Sequence, residues 1–222
     1  MKGGFKNLKI VERSVELINP IDYIKVLDNF NIAARNCYQS LNYANNNVVS
    51  AENLARRLIK IGHGSPIEMN NITVRIVGDR SFLSQLTRHR LLSFAIESAR
   101  YCNYSSEKFD HNVKFIKPQE LSEDNFAIWE QSCKQAELAY FKLIDLGAKP
   151  EVARSVLPMS LATTMIVSGN IREWRHVLEL RCDSHAQSDI RETMKELLKL
   201  LYQQYPVFFE DLYTKFFIKR EG

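Results

Sequence analysis

Residues 87–101 read TRHRLLSFAIESARY. The segment carries three arginines, Arg88, Arg90 and Arg100, among aliphatic and aromatic neighbours, with Glu97 as its one carboxylate. A solvated charge run is polar throughout, whereas this mixture predicts that the arginines are at least partly desolvated. A desolvated guanidinium needs an anionic partner, and one carboxylate cannot neutralise three arginines. The segment therefore indicates either an anion site or a structural ion-pair cluster completed by carboxylates elsewhere in the chain.

The rest of the chain has the composition of one ordinary globular domain. Its 222 residues are 45% hydrophobic, which suffices for a single well-buried core over residues 1–222. The net charge of +4 is mild and suits a protein that attracts phosphorylated small molecules. No lysine-rich block typical of a nucleic-acid binder is present, so we expect no nucleic-acid partner.

The cysteines and the apolar runs bear on the cellular compartment. The four cysteines are scattered, with no CxxC pair and no Cys/His spacing typical of zinc, so we expect free thiols and no metal site. Residues 1–12 lack the apolar core of a signal peptide, and no stretch approaches eighteen apolar residues. These features predict a cytoplasmic protein that does not contact membranes.

Local patterns predict alternating strands and helices. We expect an opening strand over residues 8–18, a helix over about 22–38, a strand over 72–77 and a long helix over about 124–146. Asp79 is a predicted N-cap. Asn170 and Glu173 form a predicted capping box for a helix that carries the apolar and ionisable side chains of one face, namely Trp174, Leu178, Arg181 and His185.

The arginine segment also resembles a known family. Arg88-His89-Arg90, seven further residues and Ser98 match the RHRx7S signature of the flavin-dependent (ThyX-type) thymidylate synthases. The sequences HGSPIE at 63–68, ARSVLP at 153–158 and LRCDSHAQ at 180–187 resemble other segments of that family. Without the resemblance, the first of these is better explained by an ordinary helix-to-strand connection with exposed polar groups. Arg154 could equally be a buried cation in a structural salt bridge.

The resemblance implies a fold and an activity. The fold would be a single α+β domain of the ThyX type, with a mixed sheet, flanking helices and a flavin site that is not of the Rossmann kind. The chain contains no GxGxxG fingerprint. The activity would be reductive methylation of dUMP to dTMP, with methylenetetrahydrofolate as one-carbon donor, NADPH as reductant and FAD as cofactor. The family works as a homotetramer whose active sites combine residues of different chains.

The resemblance also implies which residues form the site. Those with a catalytic role would be His63, Ser98 and Arg181. Those that bind dUMP would be Gln85, Arg88, Ser98, Ala99, Arg100, Arg154 and Arg181. Those that bind FAD would be Ser65, Glu68, Arg88, His89, Arg90, Leu91, Glu97, Asn170, Arg172, His176, Leu180 and His185.

The segment departs from the family pattern at Ala95 and Ile96, where most members carry Asn and Glu. Glu97 lies one position later, and in an extended backbone a shift by one residue directs the side chain to the opposite face. One alternative is therefore a divergent member that binds nucleotide, with or without flavin, but has another substrate or no methylation activity. A second alternative is an RNA-binding module in which Tyr101 and Tyr104 stack on bases, with an affinity that falls steeply with salt.

Overall fold

The computed structural model describes residues 8–40 and 47–218, so the first seven residues of the amino-terminal stretch lie outside it. The strands are β1 (Lys9–Ile10), β2 (Ser14–Leu17), β3 (Asn71–Asp79), β4 (Ser93–Ile96), β5 (Lys114–Phe115) and β6 (Ala162–Asn170). The helices are α1 (Tyr23–Cys37), α2 (Val48–Lys60), α3 (Arg80–Leu86), α4 (Glu123–Asp145), α5 (Pro150–Ala153), α6 (Ile171–Arg181), α7 (Ser188–Gln204) and α8 (Pro206–Phe217). The predicted α+β class is confirmed. None of the described helices has the length and apolar character needed to cross a lipid bilayer.

The strands form two sheets. In the smaller one, β1 and β5 run parallel, and in the larger one the strand order is β2-β3-β6-β4. The prediction of one opening strand over residues 8–18 is wrong, because the chain changes its partner in the middle of that stretch. The Val11 N–H still donates to the Phe115 carbonyl at 2.9 Å, whereas the Ile18 N–H donates to Thr73 at 2.9 Å.

Two compact units can be distinguished, and the prediction of one domain over residues 1–222 stays a prediction. The first unit contains the described residues of 8–14, 76–88 and 95–165. Its core joins β1, β5 and α4 through the buried side chains of Phe115, Cys133, Tyr140 and Leu161. The Tyr140 hydroxyl also accepts a hydrogen bond from the Tyr104 N–H at 3.2 Å, so this buried phenol has a partner.

Helix ends in the first unit follow the sequence signals. Asp79 accepts a hydrogen bond from the Phe82 N–H at 2.7 Å and so begins α3, as predicted. At the start of α4, Ser122 is the N-cap. Gly147 follows this helix with φ +88°, a left-handed conformation that glycine adopts without a Cβ penalty.

The second unit contains the described residues of 15–75, 89–94 and 166–218. Its helices surround an aromatic core in which the rings of Phe30 and Phe208 meet edge to face, with centroids 5.6 Å apart. The carboxy-terminal helix α8 begins at Pro206, directly after α7. The Tyr205 hydroxyl donates to the Ile21 carbonyl at 3.1 Å, across 184 residues of sequence. These contacts join the end of the described chain to the beginning of α1.

Candidate functional site

Helix α6 brings one predicted site residue to a fixed position. Asn170 caps it by accepting from the Glu173 N–H at 2.8 Å, as the capping box predicted. Trp174 is fully buried and donates through its indole N–H to the Ile72 carbonyl at 3.0 Å. This bond anchors the helix on β3. Arg181 is the last residue of the helix and is half-buried.

The arginine segment differs from its prediction. Arg88, Arg90 and Arg100 are exposed, so the expectation that they are partly desolvated is wrong for this chain. The segment forms a series of turns before β4 begins at Ser93. In these turns uncharged side chains, and not the arginines, occupy the buried positions. The His89 side chain is buried, with 6% of its surface exposed.

His89, His176 and Arg181 form a group that we call the His89 cluster. The Nε of Arg181 donates to Nε2 of His89 at 2.9 Å, and the rings of His89 and His176 meet edge to face with centroids 5.9 Å apart. Because Nε2 accepts this bond, the neutral imidazole of His89 carries its proton on Nδ1. Burial first, and then the charge of Arg181 and the His176 ring, lower the pKa of His89 to about 4. Burial also lowers the pKa of Arg181.

The His89 cluster predicts that acid weakens the fold. In the unfolded chain His89 takes up a proton near its ordinary pKa of 6.5, whereas in the folded protein the pKa is about 4. Between these values the unfolded state binds more protons, so the free energy of unfolding falls as the pH falls from 6.5 to 4. The loss from this one group is on the order of 3 kcal/mol. Urea denaturation at a series of pH values measures it.

The matched variant for this measurement is His89→Gln, whose amide oxygen can still accept from Arg181 but does not titrate. We expect the pH dependence between 6.5 and 4 to become shallower in the variant. If both proteins lose stability equally over this interval, the low pKa of His89 is not the cause.

A second group of predicted residues surrounds the 3₁₀ helix Ser65–Met69. Buried Pro66 and Ile67 hold this helix in place. Nδ1 of His63 lies 3.1 Å from the Tyr38 hydroxyl, and its Nε2 lies 3.3 Å from the Ser65 hydroxyl. The two hydroxyls therefore fix the orientation of the imidazole. Sequence reasoning missed Tyr38, because nothing in its local pattern connects it with a residue 25 positions later.

Glu68 and Arg172 form the next contact of this group. Their side chains pair at 2.5 Å across 104 residues of sequence, and both are partly open to solvent. Gly64 makes the approach possible, because a Cβ on this residue would lie 2.9 Å from the Arg172 Nε. The backbone of Gly64 has φ −87°, which any residue adopts, so the reason for glycine here is space.

Replacing Gly64 by alanine is expected to displace the Arg172 guanidinium while leaving the fold intact. Because Arg172 is exposed and flexible, the free energy of unfolding should change by less than about 1 kcal/mol. FAD affinity, measured by fluorescence titration, should fall by about three- to tenfold if Arg172 holds the cofactor. Arg172→Gln gives the reference value for complete loss of the charge, and unchanged FAD affinity in both variants would remove Arg172 from the flavin site.

The residues predicted to bind nucleotide in the first unit have partners of their own. Gln85 is half-buried in the last turn of α3, and its carbonyl accepts from the Arg88 N–H at 3.4 Å. The Ser98 hydroxyl accepts from the Arg100 N–H at 3.4 Å, and Ala99 is buried beside them. The Arg100 guanidinium lies 3.5 Å from Glu151 at the surface.

Arg154 is exposed, so the interpretation as a buried cation is wrong. It directly follows α5 and begins a 3₁₀ helix, Arg154–Val156. The preceding Ala153 takes the buried position in that turn. The apolar residues around Arg154 therefore do not indicate that its own side chain is buried.

Glu97 makes contacts within the first unit. One carboxylate oxygen accepts from the Tyr104 hydroxyl at 2.9 Å, and the other lies 3.4 Å from the Thr164 N–H. Burial first, and then the Glu97 carboxylate, raise the pKa of Tyr104. A flavin contact from Glu97 stays a prediction. The structure gives it a clear role in holding the segment that leads to Ser98.

His185 does not continue the face of α6, because that helix ends at Arg181 with Cys182 as C-cap. Asp183 accepts a hydrogen bond from the His185 N–H at 2.9 Å, forming a turn that competes with further helix. The imidazole contacts Asp183 at 2.6 Å and is otherwise exposed, as is Leu180. The predicted single face of Trp174, Leu178, Arg181 and His185 is therefore wrong for its last member.

The chain is similar to a known family and to several of its members. A family model described as "Thymidylate synthase complementing protein" (Thy1) matches residues 21–207. The flavin-dependent thymidylate synthase of Geobacter sulfurreducens is 35% identical over 187 residues, which cover 81% of this chain and 79% of the relative. A probable flavin-dependent thymidylate synthase of Mycobacterium phage L5 is 33% identical over 189 residues, covering 81% and 78%.

The fold is similar to that of a solved structure. A UMP/dUMP methylase, PolB from Streptomyces cacaoi, bound with 5-Br dUMP, superposes with a TM-score of 0.76 at 26% identity. The match covers 94% of this chain and 98% of that one. The family model, the relatives and the shared fold agree with the RHRx7S signature, and the chain belongs to the family of flavin-dependent thymidylate synthases.

Proposed function

We propose that this chain is a flavin-dependent thymidylate synthase, which catalyses the reductive methylation of dUMP to dTMP. In the proposal, methylenetetrahydrofolate gives the one-carbon unit, NADPH is the reductant and FAD is the cofactor. The observation that carries the proposal is the bond from Arg181 to His89. It joins the RHR motif to the LRxxxHAQ segment, and both of these segments resemble the family.

The residues near His63 fit a flavin. A cavity of about 570 Å³ borders Ser65, Pro66 and Met69, which is a usual size for a small-molecule site. Gly64 leaves space that a Cβ would fill, and Glu68 and Arg172 offer one acceptor and one cation. When bound, the flavin supplies the hydride chemistry. The proposed FAD ligands in this group are Ser65, Glu68, Asn170 and Arg172.

The RHR segment supplies the other proposed FAD ligands. His89 stays neutral at physiological pH, so its ring offers a hydrogen-bond donor without a charge. Arg90 is exposed and forms no ion pair among the described residues, so its guanidinium can meet an anionic group. The remaining proposed ligands, carried over by resemblance, are Arg88, Leu91, Glu97, His176, Leu180 and His185.

The nucleotide needs cations for its phosphate. Two negative charges call for at least two guanidinium groups, and Arg100, Arg154 and Arg181 are proposed to supply them. The exposure of Arg100 and Arg154 supports this assignment, because neither is committed to a buried ion pair. The proposed contacts to the rest of the nucleotide are Gln85, Arg88, Ser98 and Ala99. His63, oriented by its two hydroxyl partners, and Ser98 act at the reacting groups in this proposal.

The assembly and the compartment also belong to the proposal. We infer a homotetramer whose active sites combine residues of different chains. The support is that Leu91, a proposed flavin contact, is 77% exposed in a single chain, and that Arg88 and Arg90 beside it are exposed too. The four cysteines are free, as expected in a reducing compartment, and we propose that the enzyme acts in the cytoplasm.

The test is an absorbance spectrum of the purified protein with FAD, followed under anaerobic conditions by NADPH and then dUMP. We expect a flavin band that bleaches with NADPH and changes shape with dUMP. With methylenetetrahydrofolate present, chromatography should then detect dTMP. A protein that binds dUMP but takes up no FAD contradicts the proposal, and would make Ala95 and Ile96 the first positions to restore to Asn and Glu.

A further inference from the structure

A cavity of about 540 Å³ lies between α1 and α2, and of its lining residues only Tyr38, which contacts His63, belongs to the site described so far. Ala34 and Leu54 are the apolar residues that line it. The polar side chains that line it are Arg35, Tyr38, Ser40, Ser50, Asn53 and Arg57. These described residues give the wall two positive charges, three hydroxyls and an amide, and none of them is a carboxylate.

The two arginines of this cavity have charges that no described carboxylate neutralises. Arg35 donates through Nε to the Asn31 amide oxygen at 3.0 Å, and among the described residues its two terminal nitrogens contact no carboxylate. Arg57 has no ion pair within residues 8–40 and 47–218. The adjacent Arg56 differs, because it pairs with Glu52 of the same helix and with Glu210 of α8.

Helix electrostatics explain only part of this arrangement. Arg35 and Arg57 lie in the last turns of α1 and α2, where a cation stabilises the free carbonyls. Lys60 occupies the same turn of α2 without lining the cavity. The dipole therefore does not account for two guanidinium groups facing one space with hydroxyl groups between them. That combination is typical of sites for phosphate or carboxylate groups.

We propose that this cavity binds the oxyanion of a co-substrate, and the inference rests on the proposed function. The reaction needs two reactants besides the nucleotide, and both carry anions: the phosphates of NADPH and the carboxylates of the folate. The arginines assigned above serve dUMP and FAD. The cavity adjoins the reaction site through Tyr38, whose hydroxyl lies 3.1 Å from His63.

Binding is tested first without turnover. Pyrophosphate is titrated calorimetrically, at constant ionic strength, into the FAD-loaded enzyme saturated with dUMP, so that the nucleotide phosphate site is filled. We expect binding to the unmodified protein and to Lys60→Gln, affinity about tenfold lower in Arg57→Gln, and none in the Arg35→Gln/Arg57→Gln double variant. Equal binding by all four proteins overturns the proposal. This titration remains informative even if the protein forms no dTMP.

Steady-state kinetics then identifies the co-substrate. If the cavity binds the reductant, Arg57→Gln raises the KM for NADPH at least fivefold with little change in kcat, and the KM for NADH, which lacks the 2′-phosphate, changes less. If it binds the folate, the KM for pentaglutamyl methylenetetrahydrofolate rises, and that for the monoglutamyl form changes less. Unchanged KM values for both co-substrates, compared with Lys60→Gln, overturn the assignment.

Discussion

Replacing Arg181 by glutamine is expected to lower kcat/KM for dTMP formation by about 100- to 1,000-fold. The substitution removes the hydrogen bond to His89 and the positive charge proposed to meet the nucleotide phosphate. Truncating one partner of such a partly buried, charge-assisted contact is expected to cost roughly 2 to 4 kcal/mol, and 1.36 kcal/mol corresponds to a factor of ten in rate. The loss should appear with dUMP as the varied substrate.

The control for this prediction is Arg181→Lys, which keeps the charge but not the planar fork that reaches Nε2 of His89. We expect it to recover part of the affinity for dUMP. NMR titration of His89 is a readout that does not depend on turnover. Its pKa should rise from about 4 in Arg181→Gln, because the neighbouring positive charge is gone. A kcat/KM within threefold of the unmodified enzyme would exclude Arg181 from the site.

The second large effect is expected at Gly169, near the end of β6. A Cβ at this position would run into the buried Leu92 side chain, well inside van der Waals contact, and Leu92 belongs to the turn that carries His89. Gly169→Ala should destabilise the protein by roughly 2 to 3 kcal/mol. For a chain of this size the melting temperature then falls by roughly 4 to 10 °C. FAD binding should weaken as well, because His89 moves with Leu92.

Two further variants isolate the steric cause. In Gly147→Ala the new methyl group meets nothing within 4 Å, although φ is +88°. It should cost about 1 kcal/mol of backbone strain and leave FAD binding unchanged. Adding Leu92→Ala to Gly169→Ala removes the clash, so the double variant should be more stable than the sum of the two single effects predicts. Strict additivity would show that Leu92 and Gly169 do not interact.

Much of the secondary structure follows from the sequence, because its signals are local. The helix predicted over about 22–38 is α1, and the one over about 124–146 is α4. Asp79 and Asn170 act as N-caps through bonds that span three residues. Such signals need only neighbouring residues, so periodicity and cap chemistry suffice to find them.

The geometry of the candidate site could not be predicted in the same way. The bond between Arg181 and His89 joins residues 92 positions apart, and the pair of Glu68 and Arg172 spans 104 positions. Family resemblance could assign these residues to one site, but no local pattern contains the contacts between them.

The solvent exposure of individual side chains also could not be predicted from the sequence. The apolar letters around Arg154 suggested a buried cation, whereas a turn places Ala153 inside and the arginine outside. A turn of this kind depends on backbone dihedral angles that composition does not fix. His185 was misassigned for a related reason, since the Asp183 turn ends α6 before the helical spacing can continue.

The bond between Tyr205 and Ile21 has a consequence for how the chain is made. The first unit contains no residue after 165, so every part of it is synthesised before the last two helices. The second unit uses residues from 15 onward but also needs α8, whose Phe208 fills the core beside Phe30. During synthesis, α1 and α2 therefore keep an apolar face exposed until α8 has been made and can cover it. Such late, long-range closure slows folding and exposes the nascent chain to aggregation.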